Sequence, residues 1–366
     1  VFSDALRFPK GLKAGDVADL HAVQGEWMAR GVVEPEGSIG FRVWTMRQDE
    51  AVNEALLAKR LREGLAMRQA ALGADITGWR LCHGEGDGVP GLHCDMYGSV
   101  ASLRSDGALG AAWEGRFIDA VGALMKPSAM VVRNRTVDEG KSRLVFGPDA
   151  SDVIIQERDR RFHVDVMSGQ KTGFFLDQRD NRDLVGRLSA GRNVLNLFSY
   201  TGGFSVAAAL MGARRVVSVD IARPAVEEAQ RNFTLNNIPL HSHGFEVADV
   251  FEVLGELSKR PPVYDLIVLD PPSFAANQRS LGRAKKAYEA LNAMALRSLV
   301  SDGWLATASC SSHIHTADFL EILANAALQS GRTVRVVEVR GAGPDHPRRL
   351  GFPEGQYLDF VLLHVC

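Results

Sequence analysis

Cysteine is scarce. The 366 residues carry four, Cys82, Cys94, Cys310 and Cys366. So few, so widely spaced, cannot form the cross-linked framework of a small secreted domain, and a reducing cytoplasm is the expected compartment. Long hydrophobic runs are also lacking. No stretch approaches the ~18 uninterrupted apolar residues of a membrane-spanning helix. No charged segment followed by an apolar run opens the chain, so neither a membrane partner nor a secretory signal is expected. An excess of one charge is missing too: 42 Lys and Arg stand against 44 Asp and Glu, a net charge of −2. That balance argues against a globally basic nucleic-acid binder but leaves room for a local basic patch. Internal repeats, low-complexity tracts and long linkers are absent as well. The first residue is Val1 rather than Met, so an N-terminally incomplete or processed chain is expected. What remains is 46% hydrophobic with a mean hydropathy of −0.06, ordinary globular material for two or three domains.

The second half is the most regular. Apolar runs at 193–198 (NVLNLF), 215–220 (RVVSVD), 244–247, 264–270 (YDLIVLD), 304–310 (WLATASC) and 357–365 alternate with helix-like stretches. That alternation predicts a doubly wound parallel sheet with both faces covered. The first ~45 residues instead show short alternating segments between Gly, Pro and acidic turns, a β-rich, barrel-like pattern. Residues 50–72 have helical spacing, and 79–132 hold further strands, a GEGDGVPG turn and one more helix. Expected domain boundaries lie near 46 and 163.

Ligands of open α/β sheets bind beyond the carboxyl ends of the strands. Four features fall there: Thr201-Gly202-Gly203 after the first strand, Asp220 ending the second, Asp249 after the third, and Asp270-Pro271-Pro272 ending the fourth. A glycine turn lets backbone approach a ligand. An acid ending the second strand can accept both ribose hydroxyls, and Asp249 can accept from a purine amine. Any one acid alone reads as a cap or turn; the combination is what carries weight. A nicotinamide dinucleotide is the rival ligand, but the turn SYTGGF does not supply the G-x-G-x-x-G fingerprint. GQKT at 169–172 only mimics the end of a P-loop, and GEGDGVPG has neither Lys nor a following helix, so it reads as a hairpin turn. Acids at strand ends without a phosphate loop fit an adenosyl ligand with no pyrophosphate, and S-adenosylmethionine is the natural candidate.

Cys310, in Ser309-Cys310-Ser311-Ser312, ends the strand expected beside the one ending in Asp270. A lone Cys is usually a small buried hydrophobe. A thiolate at this mouth, however, can add to C6 of a pyrimidine and turn the unreactive C5 into a nucleophile, which is covalent catalysis. Asp270 could then hydrogen-bond ring N3 and the amino group. Ser311, Ser312 and the helix after His315 could activate the thiol; His313 and His315 are otherwise solvated loop residues. Cys82-His83 and His93-Cys94 lack zinc spacing, so no metal is expected. Arg279, Arg283, Lys285, Lys286 and Arg297, with Tyr288 among them, form either a solvated helix face or a phosphate-contacting lid, to which Arg348 and Arg349 could add.

The set GQKTGFFLDQRDNR (169–182), VLNLFSYTGGFS (194–205), VVSVD (216–220), DLIVLDPPSF (265–274), SCSS (309–312) and DHPRRLGFPEGQYL (345–358) resembles RlmI-like 23S rRNA cytosine-C5 methyltransferases over nearly the whole chain. The resemblance implies an N-terminal PUA domain at 1–46, incomplete at its start, a small α/β domain at 47–162, and a Rossmann-like class I methyltransferase domain at 163–366. It implies Cys310 as nucleophile and Asp270 as the acid of the Asp-Pro-Pro motif. It implies Gln178, Phe198, Thr201, Gly202, Asp220 and Asp249 around S-adenosylmethionine. Asn196, where many methyltransferases carry an acid, and Tyr200, where glycine is common, depart from the wider pattern but occur in this branch. RNA is the expected partner, as 23S rRNA or an assembly intermediate, and a homodimer stays open. The alternatives are an rRNA guanine methyltransferase, which needs no thiol nucleophile, and a non-catalytic RNA-binding module.

Overall fold

The computed structural model describes residues 1–134, 142–274, 280–311 and 313–366. They form two compact units. The first comprises 1–158, 164–176 and 344–355; the second comprises 159–163, 177–343 and 356–366.

The first unit opens with an antiparallel three-stranded sheet, β1 (Val17–His21), β2 (Trp27–Val33) and β3 (Phe41–Thr45). Helix α1 (Glu54–Ala71) follows. Asn53 caps it, its side chain accepting from Leu56 N at 3.1 Å, and Leu57, Leu61 and Arg68 fall on its buried stripe. Strands β4 (Gly78–His83), β5 (Leu92–Tyr97), β6 (Val100–Ser105), β7 (Ala129–Asn134) and β8 (Ser142–Phe146) make a five-stranded sheet in sequence order. All steps are antiparallel except β6 to β7, which are parallel because α2 (Gly107–Met125) crosses between them. GEGDGVPG joins antiparallel β4 and β5, as a hairpin turn should. Strand β5 is buried at every position. Leucines of α1 and the Trp113 and Phe117 rings of α2 share a core with one face of this sheet. Segment 164–176 holds the other, where the Tyr97 and Thr172 hydroxyls lie 2.9 Å apart and Arg133 donates to Gly169 O at 2.7 Å. Strand β9 (Val153–Glu157) ends this part of the chain.

The second unit begins with β10 (Arg160–Val164), tied to the end of a later helix through Asn232 and Asn236, and with α3 (Arg179–Leu188). Then β11 (Asn193–Leu197), α4 (Gly203–Leu210), β12 (Arg215–Asp220), α5 (Arg223–Leu235), β13 (Gly244–Val247), α6 (Val250–Leu257), β14 (Tyr264–Leu269), α7 (Leu281–Arg297), β15 (Leu299–Ser309), α8 (Thr316–Ser330), β16 (Val334–Arg340) and β17 (Asp359–Val365) complete it. The seven-stranded sheet runs β13-β12-β11-β14-β15-β17-β16. Strands β11 to β15 are mutually parallel through their neighbours. The Rossmann-like sheet is therefore present, with one correction: β17 runs antiparallel to both β15 and β16. No α-helix crosses between β16 and β17, and the last strand returns in the opposite direction and slots between its neighbours. Helices α6, α7 and α8 cover one face, α3 and α4 the other. Strand order reverses at β11, so the crevice of the switch point opens between the carboxyl ends of β11 and β14.

Segment 344–355 belongs to the first unit, which its position between two strands of the second does not announce. Asp345 and His346 are buried there. Arg80 N donates to Asp345 Oδ2 at 3.0 Å, and Arg68 Nη2 donates to Asp345 O at 2.9 Å. Around them lie two buried ion pairs, Arg68–Asp87 at 2.6 Å and Arg80–Asp95 at 2.7 Å. The His83 ring sits edge-on to His93 and His346, with centroids 5.8 and 5.1 Å away. Burial, then the Arg80 guanidinium and the two other rings, push the His83 pKa far down. Burial and Arg104 lower that of His93, against the pull of Asp106. The folded chain therefore disfavours the protonated form of both rings, while in the unfolded chain each takes a proton near the ordinary imidazole pKa of about 6.5. Stability from these rings is thus fully present above about pH 6.5 and falls as the pH drops below it, His83 alone approaching about 1.4 kcal/mol per pH unit. Urea titrations between about pH 7.5 and about pH 5.5 should show this loss, and His83→Gln should reduce it; an unchanged pH dependence would contradict the assignment.

Candidate active site at the carboxyl edge of the sheet

The loop leaving β11 is held in an unusual conformation. Phe198, Tyr200 and Gly202 all have positive φ, at 55°, 47° and 78°. Two of these are non-glycine residues in the left-handed region, a costly arrangement that the surrounding fold must impose. Ser199 N donates to Val219 O at 3.0 Å and Tyr200 N to Asp220 Oδ2 at 2.8 Å, which pins the loop to the end of β12. Gly202 leads into α4 so closely that a Cβ there would lie 2.9 Å from that of Ala229. Ser199 Oγ and Thr201 Oγ1 are buried with no hydrogen-bond partner among the described residues.

Asp220 ends β12 half-buried, its Oδ1 accepting from Ala222 N at 2.9 Å. Each carboxylate oxygen still has lone-pair capacity for a diol. Asp249 caps α6, with Oδ1 accepting from Phe251 N at 2.7 Å and Glu252 N at 3.4 Å. It is therefore both a helix cap and a half-buried carboxylate at the sheet edge.

Asp270 and Cys310 follow the neighbouring parallel strands β14 and β15, whose last registered pair is Leu269–Thr307. Cys310 Sγ lies 3.8 Å from Pro271 O, inside the Asp-Pro-Pro turn, and the thiol is partly exposed. Gln178, at the start of α3, donates from Nε2 to Asp270 Oδ2 at 3.0 Å. Burial holds the Tyr288 phenol above its ordinary pKa, with the Cys310 and Asp270 charges pushing the same way, so it stays neutral. Phe198, Thr201, Gly202, Asp220, Asp249, Asp270, Cys310 and Gln178 thus all belong to the carboxyl edge of this sheet or bond to a residue there.

Other expectations fall elsewhere. Tyr288 faces inward with Ala284 and Leu291 on the buried stripe of α7, so it meets Phe274 and Phe319 edge to face rather than presenting a ring to solvent. Lys285 is paired with Asp318 at 2.6 Å, and Arg297 donates to Gln329 O at 3.0 Å, while Arg283 and Lys286 are exposed. His315 caps α8 in a reciprocal pair with Asp318. Arg348 and Arg349 are exposed in the first unit. Cys82 and Cys94 face one another across β4 and β5, both buried with burial raising their thiol pKa values. Arg279 and Ser312 lie outside the described residues. Residues that the motifs did not single out for the site are Ser199 and Asn181. The first carries no signal of its own. The second could have been found from its three-residue spacing after Gln178 at a helix start.

Residues 120–348 match the S-adenosylmethionine-dependent methyltransferase family. Ribosomal RNA large subunit methyltransferase I of Tolumonas auensis is 38% identical over 380 residues, covering 100% of this chain and 94% of that protein. Its counterpart of the same name from Shewanella denitrificans is 36% identical over 378 residues, with the same coverage. The chain belongs to this family of S-adenosylmethionine-dependent methyltransferases. A solved chain from Streptococcus mutans shares the fold with a TM-score of 0.87 at 22% identity, over 96% of this chain and 92% of that one. Another solved chain, complexed with SAH, has a TM-score of 0.88 at 23% identity, over 98% and 93% of the two chains.

This methyltransferase fits its cofactor on its own geometry. The unpartnered hydroxyls of Ser199 and Thr201, the left-handed loop and the two strand-end acids offer donors and acceptors without a pyrophosphate cradle. Gly202→Ala tests the loop, because a Cβ would meet both a left-handed backbone and Ala229. It should cost about 1–3 kcal/mol in denaturant titration. S-adenosylmethionine affinity by calorimetry should fall at least about tenfold. Unchanged stability and affinity would show that the loop does not need its observed shape.

Proposed function

We propose that this methyltransferase acts on C5 of a cytosine in large-subunit ribosomal RNA, with the Cys310 thiolate as nucleophile. The observation that carries the reading is Cys310 Sγ at 3.8 Å from Pro271 O, beside Asp270 on the adjoining parallel strand. Methylating a ring or exocyclic nitrogen uses the base's own lone pair and needs no thiol. Methylating C5 needs electron density pushed into the ring. The curated relatives named for ribosomal RNA support the substrate class.

S-adenosylmethionine supplies an electrophilic methyl group when bound. The Cys310 thiolate adds to C6, and the C5–C6 double bond becomes an enamine-like nucleophile at C5. Asp270 accepts from the base amino group and orients the ring. After methylation a base removes the C5 proton, and the returning electron pair expels Cys310. Phe198, Thr201, Gly202, Asp220 and Asp249 line the adenosyl side.

Residues 1–46, with the β1-β2-β3 sheet, are proposed as a PUA-type RNA-contacting domain, 47–162 as a middle domain and 163–366 as the catalytic domain, acting in the cytoplasm. Among the described residues no helix is long and apolar enough to cross a membrane.

Methyl transfer to unmodified rRNA, with nucleosides identified by mass spectrometry, tests the reading. The chain should produce 5-methylcytidine, and Cys310→Ala should lower its formation at least about 10³-fold while binding S-adenosylmethionine normally. A methylguanosine product that survives Cys310→Ala would overturn it.

A further inference from the structure

Gln178 is 2% exposed and Asn181 1% exposed, at the first turn of α3. The Gln178 amide meets two partners of opposite character. Its Nε2 donates to Asp270 Oδ2 at 3.0 Å, and its Oε1 accepts from Asn181 Nδ2 at 2.6 Å. A carboxylate only accepts, so this is the orientation in which both contacts are hydrogen bonds. Asn181 is fixed in the same way. Its Nδ2 also donates to Gly341 O at 3.3 Å, and turning its amide over would set Oδ1 against two acceptor oxygens. The backbone around the pair is tied down as well. Gly343 N donates to Asp177 O at 3.2 Å, Tyr357 OH to Asp177 Oδ2 at 2.8 Å, and Arg340 Nη1 to Asp180 O at 3.0 Å.

We propose that Gln178 and Asn181 are positioning residues: a relay of two amides that holds the Asp270 carboxylate in the one orientation that meets the target base. This differs from the cofactor contact that the resemblance implies for Gln178, and it rests on the reading of Asp270 as the acid contacting that base. Asn181 sets which end of Gln178 faces Asp270, and Gln178 sets the plane of the carboxylate. Neither residue need touch a ligand.

The relay has a distinctive failure mode. Gln178→Glu keeps the shape but sets two carboxylates against each other. At high pH they repel and Asp270 turns away. At lower pH the pair shares one proton, and an O–H···O bond replaces the lost N–H···O bond. Single-turnover methyl transfer by the full chain on rRNA, from about pH 6 to about pH 9, reads this out. S-adenosylmethionine affinity is measured alongside by calorimetry. Gln178→Glu should be about 100-fold slower than the parent at the upper end and regain about tenfold or more at the lower end. Its cofactor affinity should stay within about twofold. Asn181→Ala adds no charge and carries the test if Gln178→Glu fails to fold. It should slow transfer about tenfold with unchanged cofactor affinity. A pH-independent loss that tracks lost cofactor affinity would make Gln178 a cofactor contact and overturn the relay. Parent-like rates in both variants would overturn it too. Asp270→Asn, assayed beside them, separates the two ideas. If it is fully active, the reading of Asp270 fails. If it is inactive while the amide variants are normal, the relay alone fails.

Discussion

The parallel alignment of β11, β14 and β15 is the constraint on which the catalytic unit depends. Leu197 is registered with Leu269, and Leu269 with Thr307. Parallel strands end on the same edge, so the loop after β11, the Asp-Pro-Pro turn after β14 and the Cys310 turn after β15 must emerge together. A register slip of one residue would turn every side chain of a strand to the opposite face. Leu195, Ile267 and Leu305, buried on one face, and Val194, Leu266 and Ala306, on the other, prevent that slip. Packing of apolar residues that touch no ligand thus sets the approach of the Cys310 thiol to the Asp-Pro-Pro turn.

Much of this was legible in the sequence because strands buried on both faces read as short unbroken apolar runs, and turn residues punctuate them. The 244–247 run coincides with β13, and the run ending at Cys310 falls within β15 and its following turn. The reversed direction of β17 was not legible. An apolar run has no sign of direction, and only its pairing with both β15 and β16 fixes it. The site followed the same division. Asp220, Asp270 and Cys310 stand at strand ends that periodicity can mark. Tyr200, whose left-handed backbone helps shape the loop, is not a glycine and so lacked the usual signal. Tyr288 misled for a related reason: charges flank it in sequence, but the spacing with Ala284 and Leu291 puts it on the buried stripe.

The first unit makes a complementary point. Its helix α1, the β4–β5 turn and the sheet supply Arg68, Asp87 and the Arg80–Asp95 pair, all in buried ion pairs, with three histidines beside them. Paired charges of this kind contribute little net stability over apolar packing but are costly to break one at a time. They bind segment 344–355 into the unit through Asp345. The DHPRR stretch therefore reads as polar and exposed in sequence, while its first two residues are buried anchors and the arginines that follow face solvent. Contacts between residues 265 and 277 positions apart leave no periodic trace, which is why local pattern could not place them.

The most direct test of the central assignment uses an rRNA substrate in which cytidine is replaced by 5-fluorocytidine. Fluorine at C5 cannot leave as a proton does, so a thiol added at C6 is not expelled once C5 has been methylated. Incubation with S-adenosylmethionine, followed by digestion and mass spectrometry, should yield a nucleotide covalently attached to the peptide that contains Cys310. An attachment at another residue, or no adduct from a chain that methylates unsubstituted rRNA at full rate, would contradict Cys310 as the nucleophile.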